Sequence, residues 1–208
     1  MATTSCQAKI TKQENLIYST TVGDSELFVS PYPPDKLLAQ AYIRMEDEGL
    51  LDTLFHERVP TLSEFLLRFC VERQAILACS IKENGVQRLA GFGWFNQSQR
   101  IGHLDLVRCE AGIIFFKDCR KLRITTTFGH LMTAWAFSNI KPKGLTLDVI
   151  FGTTPQPNRA ACMYFRRLGW KSIGPLPNYT TYPGFDGPVA VYISFMTRSG
   201  WIKASPFV

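Results

Sequence analysis

Acidic side chains near the middle of the chain have the type and spacing needed to move a proton. His103 and Asp105 are two residues apart, and residues at that spacing point to the same face of a strand. Glu110 follows a few residues later. A carboxylate or imidazole that lines a cleft can act as a general base and take a proton from an attacking amine. The competing interpretation is that each is a surface or ion-paired residue, and no spacing singles out one base.

Basic side chains form two short clusters in a chain whose formal net charge is +6. The clusters consist of Lys117, Arg120, Lys121 and Arg123, and of Arg166, Arg167 and Lys171. Such clusters attract phosphate groups, either on a nucleotide cofactor or on nucleic acid. The competing interpretation is an ordinary solvated surface, which a charge of this size also permits.

Several enzyme and metal-binding classes are excluded by the motifs that the sequence lacks. There is no P-loop, GxSxG, HExxH or Rossmann glycine fingerprint. The six cysteines form no CxxC pair and no cluster with the spacing of metal ligands, so we expect free thiols and no metal. Met1–Ile10 has no apolar segment typical of a secretory signal, and no apolar run reaches membrane-spanning length. We therefore expect a soluble cytoplasmic protein.

Length and composition predict one globular domain. The chain has 208 residues, of which 46% are hydrophobic and 19% charged. A domain of this size buries roughly 70% of the surface of its unfolded chain, so it needs no disulfide or metal. No linker divides two cores. We expect a strand or loop segment at residues 1–34, helices at 35–70, and a core sheet with a long helix at 71–197.

The order of the expected elements indicates a mixed α/β sheet. Apolar residues at three- and four-residue spacing predict helices from Asp35 to Cys70, and Thr61-Leu-Ser-Glu64 has the form of a capping box. Asn84-Gly85 predicts a hairpin turn. Strands are expected at 75–81, 89–96, 102–108, 111–116, 145–151, 172–182 and 189–197, and helices at 125–140 and 158–168. The late alternation of helices and strands favours at least one parallel strand pair.

Residues 158–170 carry the most specific pattern, Asn-Arg-Ala-Ala-Cys-Met-Tyr-Phe-Arg-Arg-Leu-Gly-Trp. Asn158 can cap a helix, Ala161 is small where that helix approaches a sheet or cofactor, and Gly169 can end it. With Phe165 and Trp170, these residues resemble the last helix of the GNAT acyltransferases. The order of elements over residues 70–197 is similar to that family as well. The resemblance implies an α/β fold with a central mixed, mostly antiparallel sheet flanked by helices.

The resemblance further implies transfer of an acyl group from acetyl-CoA or another acyl-CoA to an amine on a small molecule or protein. The residues that it implies for the cofactor are Ile114, Phe115, Phe116, Arg120, Lys121, Arg123, Thr125, Thr126 and Asn158. In many members a tyrosine at the position of Phe165 protonates the departing sulfur, so the adjacent Tyr164 is the candidate acid. Glu110 and Asp105 are the candidate bases. We also expect two neighbouring parallel strands to diverge, because tight pairing of 145–151 with 111–116 would leave no slot.

The chain departs from the family at the pyrophosphate loop, where Arg123 and Thr125 replace glycines. A Cβ atom limits close backbone approach, so the loop binds CoA in a modified way, binds another phosphate, or binds nothing. Two alternatives to acyl transfer stay open. One is a GNAT-like protein that acts on DNA, as the phage Mom proteins do, and the other is a non-catalytic interaction module with a closed cleft. Homodimers are common in such folds, so we allow for one.

Overall fold

The computed structural model describes residues 18–55, 58–70, 75–96, 99–101, 106–140 and 145–204. Nine strands in these ranges form one sheet: β1 (Tyr18–Val22), β2 (Ser25–Pro31), β3 (Ala75–Glu83), β4 (Val86–Phe95), β5 (Gln99–Ile101), β6 (Leu106–Phe115), β7 (Val149–Pro155), β8 (Lys171–Thr180) and β9 (Val189–Thr197). The helices are α1 (Asp35–Asp47), α2 (Leu51–Leu54), α3 (Leu62–Cys70), α4 (Leu122–Asn139), α5 (Arg159–Arg167) and α6 (Arg198–Ala204), with a 3-10 turn at Lys117–Cys119.

The sheet is mixed and mostly antiparallel, as expected. Its strands are ordered β1-β2-β3-β4-β6-β7-β9-β8, and β5 pairs with β6 beside this path. Within the described residues, β6 and β7 form the one parallel pair. A parallel pair needs a crossover connection, and α4 supplies it here. The start of α4 therefore lies beside the end of β6.

Two apolar cores cover the two faces of the sheet. On one face, α4 buries Phe128 and Trp135 in a cluster that includes side chains from the sheet and α5. On the other face, Met45 of α1 and Phe65 of α3 pack with Phe92 of β4. Burial of each such side chain contributes about 1.5–3 kcal/mol. Helices on both faces leave the edges and ends of the strands as the places where a ligand can enter.

Local signals in the sequence form the turns and caps that they predicted. The Thr61 N–H donates to Glu64 Oε2 at 2.7 Å and the Glu64 N–H donates to Thr61 Oγ1 at 3.3 Å, which completes a capping box at the start of α3. Asn84 and Gly85 have φ of +51° and +80° between β3 and β4. These positive values are what a two-residue hairpin turn requires. Short-range chemistry therefore sets these element ends.

Two element boundaries differ from the predictions near the end of β6. Helix α4 begins at Leu122 rather than 125, and the Thr125 N–H donates to the Lys121 carbonyl at 3.0 Å. Strand β7 covers 149–155 rather than 145–151. Asp148 does not extend β7, because its carboxylate accepts the Val107 N–H at 2.9 Å. Thr153 continues the strand and pairs with β9, since β-branched threonine suits a pleated strand.

The structure also contains elements beyond the predicted ones in the N-terminal segment and after β9. Strands β1 and β2 join the sheet from within the predicted N-terminal segment, because β2 pairs along β3 from Glu26 to Pro31. The strand predicted at 102–108 falls partly outside the described residues, and β6 then runs without a break from Leu106 to Phe115. Helix α6 follows β9 and was not predicted.

Two general properties of the described residues bear on function. None of their helices combines the length and apolar character needed to cross a membrane. They also contain no group of three or more His, Cys, Asp or Glu side chains placed to hold a metal ion.

Candidate active site

Strand β6 is paired differently along its two halves. Its first half pairs in parallel with β7, where Arg108, Cys109 and Glu110 lie opposite Val149, Ile150 and Phe151. Its second half, from 111 to 115, pairs only with β4 in the register that the structure describes. The two parallel strands therefore part just after Glu110. The slot that the sequence analysis required is present.

The backbone groups along one edge of the second half of β6 face the slot. The Phe116 N–H donates to Ala90 O at 3.0 Å, and the Asn96 N–H donates to Glu110 O at 2.8 Å, so even-numbered residues point their backbone toward β4. Successive residues of a strand direct their N–H and C=O groups to opposite edges. The N–H and C=O groups of 111, 113 and 115 therefore point into the slot.

Glu110 stands at the point where the strands separate. Its carboxylate accepts a hydrogen bond from Asn96 Nδ2 at 3.2 Å and one from Thr153 Oγ1 at 3.4 Å. These two bonds connect β6 to the residue after β4 and to β7, across the apex of the slot. The carboxylate is half-buried and lines the cavity described below. It is positioned to take a proton from a group entering the slot.

The open edge of β6 forms the first wall of the slot, and the start of α4 forms the second. Its first three N–H groups, those of 122, 123 and 124, have no helical partner by geometry. Within the described residues no side chain caps this end, and the first turn contains no acidic residue. Arg120 lies just before it and donates from Nε to the Phe115 carbonyl at 3.1 Å. A helix start and an arginine together form a favourable environment for phosphate.

Helix α5 forms the third wall. Asn158 caps it by accepting the Ala161 N–H at 3.2 Å, and Gly169 ends it with φ of +78°. Tyr164 packs against α4, and its hydroxyl donates to the Thr125 carbonyl at 2.9 Å. Burial raises the pKa of Tyr164 well above its usual value, so the hydroxyl keeps its proton. Phe165 lies on the next face of the helix, and its ring is 4.8 Å from that of Trp170.

These walls enclose a cavity of about 730 Å³. Its lining comes from β6, the residues flanking α4, β7, α5, α2 and the end of β8. The predicted site residues that line it are Glu110, Ile114, Phe115, Arg120, Thr125, Asn158 and Tyr164. The structure thus brings together seven side chains that are spread over 55 positions of the sequence, from 110 to 164.

The other predicted site residues lie elsewhere. Phe116 is fully buried in the core between the sheet and α1–α3. Lys121 turns away from the cavity and places Nζ 2.5 Å from Glu83 Oε1. Arg123 is exposed and Thr126 half-buried in α4, and neither side chain lines the cavity. Asp105 lies outside the described residues.

Sequence reasoning missed the two glycines that shape the slot. A Cβ at Gly112 would collide with the Trp94 ring, and a Cβ at Gly152 would lie 3.1 Å from the Ala111 carbonyl oxygen and 3.3 Å from the Phe165 ring. Gly129 plays a similar part in α4, where a Cβ would collide with the Tyr164 hydroxyl. Each lies inside a regular element, where glycine costs stability and marks close approach. A glycine inside a predicted strand or helix was therefore the signal that the sequence offered.

Comparison with known proteins identifies the fold. No family model matches the chain, and no curated protein matches its sequence. Spermidine N-acetyltransferase from Vibrio cholerae, solved with CoA and spermine, is 14% identical and matches over 85% of this chain and 98% of that chain, with a TM-score of 0.65. The Salmonella typhimurium protein yncA, solved with its cofactor acetyl-CoA, is 11% identical over 81% and 93%, with a TM-score of 0.60.

A third similar structure is the microcin C7 self-immunity acetyltransferase MccE, solved with acetyl-CoA and AMP. It is 14% identical and matches over 85% of this chain and 93% of that chain, with a TM-score of 0.57. At these identities the likeness establishes the fold and not the substrate.

Proposed function

We propose that this chain, which has the GNAT acyltransferase fold, transfers an acyl group from an acyl-CoA to an amine. The observation that carries the proposal is the open edge of β6, which lines the cavity together with Arg120 and Thr125 at the start of α4. Backbone N–H and C=O groups need hydrogen-bond partners, so an unpaired edge of this kind is available to a ligand that adds to it as a strand would. An acyl-CoA donor has amides that can pair with such an edge and phosphates that Arg120 can bind.

The residues present fit such a donor. The N–H and C=O groups of 111 and 113 and the N–H group of 115 can pair with the amides of its pantetheine arm, as an added strand would. The Phe115 carbonyl already accepts a hydrogen bond from Arg120. Arg120 and the first N–H groups of α4 can receive the diphosphate. The replaced glycines are no obstacle, because the helix starts at Leu122 and the Arg123 side chain is exposed. Of the other predicted cofactor residues, Thr125 and Asn158 line the same space, whereas Lys121 pairs with Glu83.

Glu110 has the position of the general base. It takes one proton from the acceptor nitrogen, the nitrogen forms a bond to the acyl carbon, and the carbon–sulfur bond breaks. The sulfur leaves as a thiolate and takes up a proton, so charge and atoms balance. Tyr164 is the proposed donor of that proton, and its hydroxyl must then turn from the Thr125 carbonyl toward the sulfur. Phe165 has no proton to give.

The two alternatives have weaker support. A non-catalytic module predicts a closed cleft, whereas β6 and β7 separate after Glu110. Action on DNA was inferred from likeness to the phage Mom proteins in the altered pyrophosphate loop and the basic charge, yet Lys121 of the first basic cluster is paired with Glu83. No other observation favours nucleic acid.

Thermal unfolding with and without acetyl-CoA tests the proposal. A ligand at 100 times its Kd stabilises the folded protein by about 2.7 kcal/mol, so we expect a clear rise in Tm. Arg120→Glu should weaken acetyl-CoA binding at least about tenfold, because a charge-assisted hydrogen bond is worth about 1.5–3 kcal/mol.

The matched control is Arg166→Glu, an exposed position on α5 that makes the same change in charge outside the cavity lining. It should retain the affinity of the unmodified protein. No rise in Tm at millimolar acetyl-CoA, or an equal loss in both variants, contradicts the proposal.

A further inference from the structure

The cavity has a further wall, which is apolar and lies on the face of the sheet that carries α1–α3. It consists of Leu50, Leu54, Phe55, Trp94 and Ile114, which line the cavity and pack against the core on that face. Arg120, the start of α4 and α5 stand on the opposite side, where the phosphates of the donor are expected. The apolar wall is therefore left for the acceptor.

Trp94 is the largest side chain of this wall, and its position is fixed by the sheet. It lies directly across from Gly112 in the pairing of β4 with β6, and its ring occupies the space that a Cβ on Gly112 would fill. Gly112 and Glu110 are two residues apart on the same face of β6, roughly 7 Å along the strand. The indole ring of Trp94 therefore lies one residue pair along the sheet from Glu110, the proposed base.

The charges around the cavity also restrict which acceptor amine it can hold. Among the described lining residues, Glu110 is the one carboxylate, and the cationic side chains are Arg120 and Arg167. One carboxylate can balance one ammonium group. A second ammonium on the same molecule would meet apolar side chains or arginines, and burying an unpaired charge is costly. The lining thus disfavours polyamines.

From this wall and this charge balance we infer that the acceptor is a primary amine on an aromatic body with no second cationic group, and that Trp94 selects it by stacking. The inference rests on the proposed acyl transfer. The amine reaches Glu110 while the aromatic ring lies against the indole of Trp94, with Phe55 and Leu54 closing the apolar side. Aromatic rings favour such offset or edge-to-face contacts.

The test measures acetyl transfer, as free thiol released from acetyl-CoA, with 2-phenylethylamine, ethylamine and spermidine. We expect 2-phenylethylamine to have the highest kcat/KM. Trp94→Leu should raise the KM for 2-phenylethylamine about tenfold and change the KM for ethylamine by a much smaller factor, because only the larger amine has a ring to stack. Tyr32→Leu removes an exposed aromatic side chain outside the cavity and should change neither KM.

Phe55→Leu serves as the second variant if Trp94→Leu does not fold, and the same rise in KM for 2-phenylethylamine is expected. A higher kcat/KM for spermidine, or an equal effect of Trp94→Leu on both small amines, overturns the inference and leaves the acyl transfer intact. Acetyl-CoA binding without transfer to 2-phenylethylamine also overturns it. Absence of acetyl-CoA binding is the separate result that removes the proposed function itself.

Discussion

The two halves of β6 show how one strand can serve both stability and binding. From Arg108 to Glu110 it pairs with β7, and Arg108 also pairs with β5, whereas from Ala111 to Phe115 it pairs with β4 alone. The first half is sheet interior. The second half is an edge inside the protein, and α4 and α5 stand beside it instead of a strand. In the proposed function, the acyl-CoA donor takes the place of a second strand along this half.

The connection from β6 to α4 also has two sides: a closed side that ion pairs hold and an open side that faces the cavity. On the closed side, Asp118 forms ion pairs with both Arg44 and Arg88, and Lys121 pairs with Glu83. These contacts tie the turn to α1 and to the hairpin of β3 and β4. On the open side, Arg120 and Thr125 line the cavity, and no described side chain caps the start of α4. Ion pairs thus hold this turn in place.

The substitution with the largest expected effect on activity is at Glu110, where the two halves of β6 meet. Glu110→Gln keeps the size of the side chain and one accepting oxygen but removes the base, so kcat for acetyl transfer should fall about 100- to 10,000-fold at neutral pH. Acetyl-CoA affinity should stay the same, because the open edge is unchanged. Asp148→Asn is the matched control beside the paired half, and it should keep kcat within about threefold since its carboxylate binds only the Val107 N–H among the described groups. Equal rates for Glu110→Gln and the unmodified protein would show that another group is the base.

A smaller effect is expected at the apex of the slot. Gly152→Val places side-chain atoms against the Ala111 carbonyl and the Phe165 ring, so the free energy of unfolding in urea should fall by about 1–3 kcal/mol. The Tm rise caused by acetyl-CoA should shrink with it. Gly187→Val has no atom within 4 Å of the added Cβ and should be close to neutral. A Gly152→Val protein as stable as the unmodified one would mean that the strands can separate further.

The smallest effect is expected on the closed side and concerns pH. The hydrogen bond from Lys121, followed by that from Ser25, lowers the pKa of Glu83 from its usual 4.5 to about 2. Because the folded pKa is the lower one, the stabilisation is complete above pH 4.5 and is lost as the pH falls toward 2. Glu83→Gln should therefore show a shallower loss of unfolding free energy than the unmodified protein between these pH values. If the unfolding free energy of both proteins changes identically with pH, the ion pairs of Glu83 contribute nothing to the stability of the folded protein.

Local patterns were enough to predict most elements and the fold. The capping box at Thr61, the turn at Asn84-Gly85 and the cap at Asn158 depend on residues within a few positions of one another, so their sequence carries the information. The 158–170 stretch likewise indicated the fold that the solved structures share. The start of α4 was misjudged because no sequence signal marked Lys121 as the residue before the helix.

The sequence by itself thus determined most of the elements and their order, and it offered Glu110 and Asp105 as candidate bases. Only the tertiary structure decided that Lys121 pairs with Glu83, that Phe116 is buried, and that Trp94 lies over Gly112. Helix caps and turns depend on bonds between close neighbours in the chain. The direction of a side chain and the separation of β6 from β7 depend on contacts between residues far apart in sequence, which form only when the sheet and helices pack.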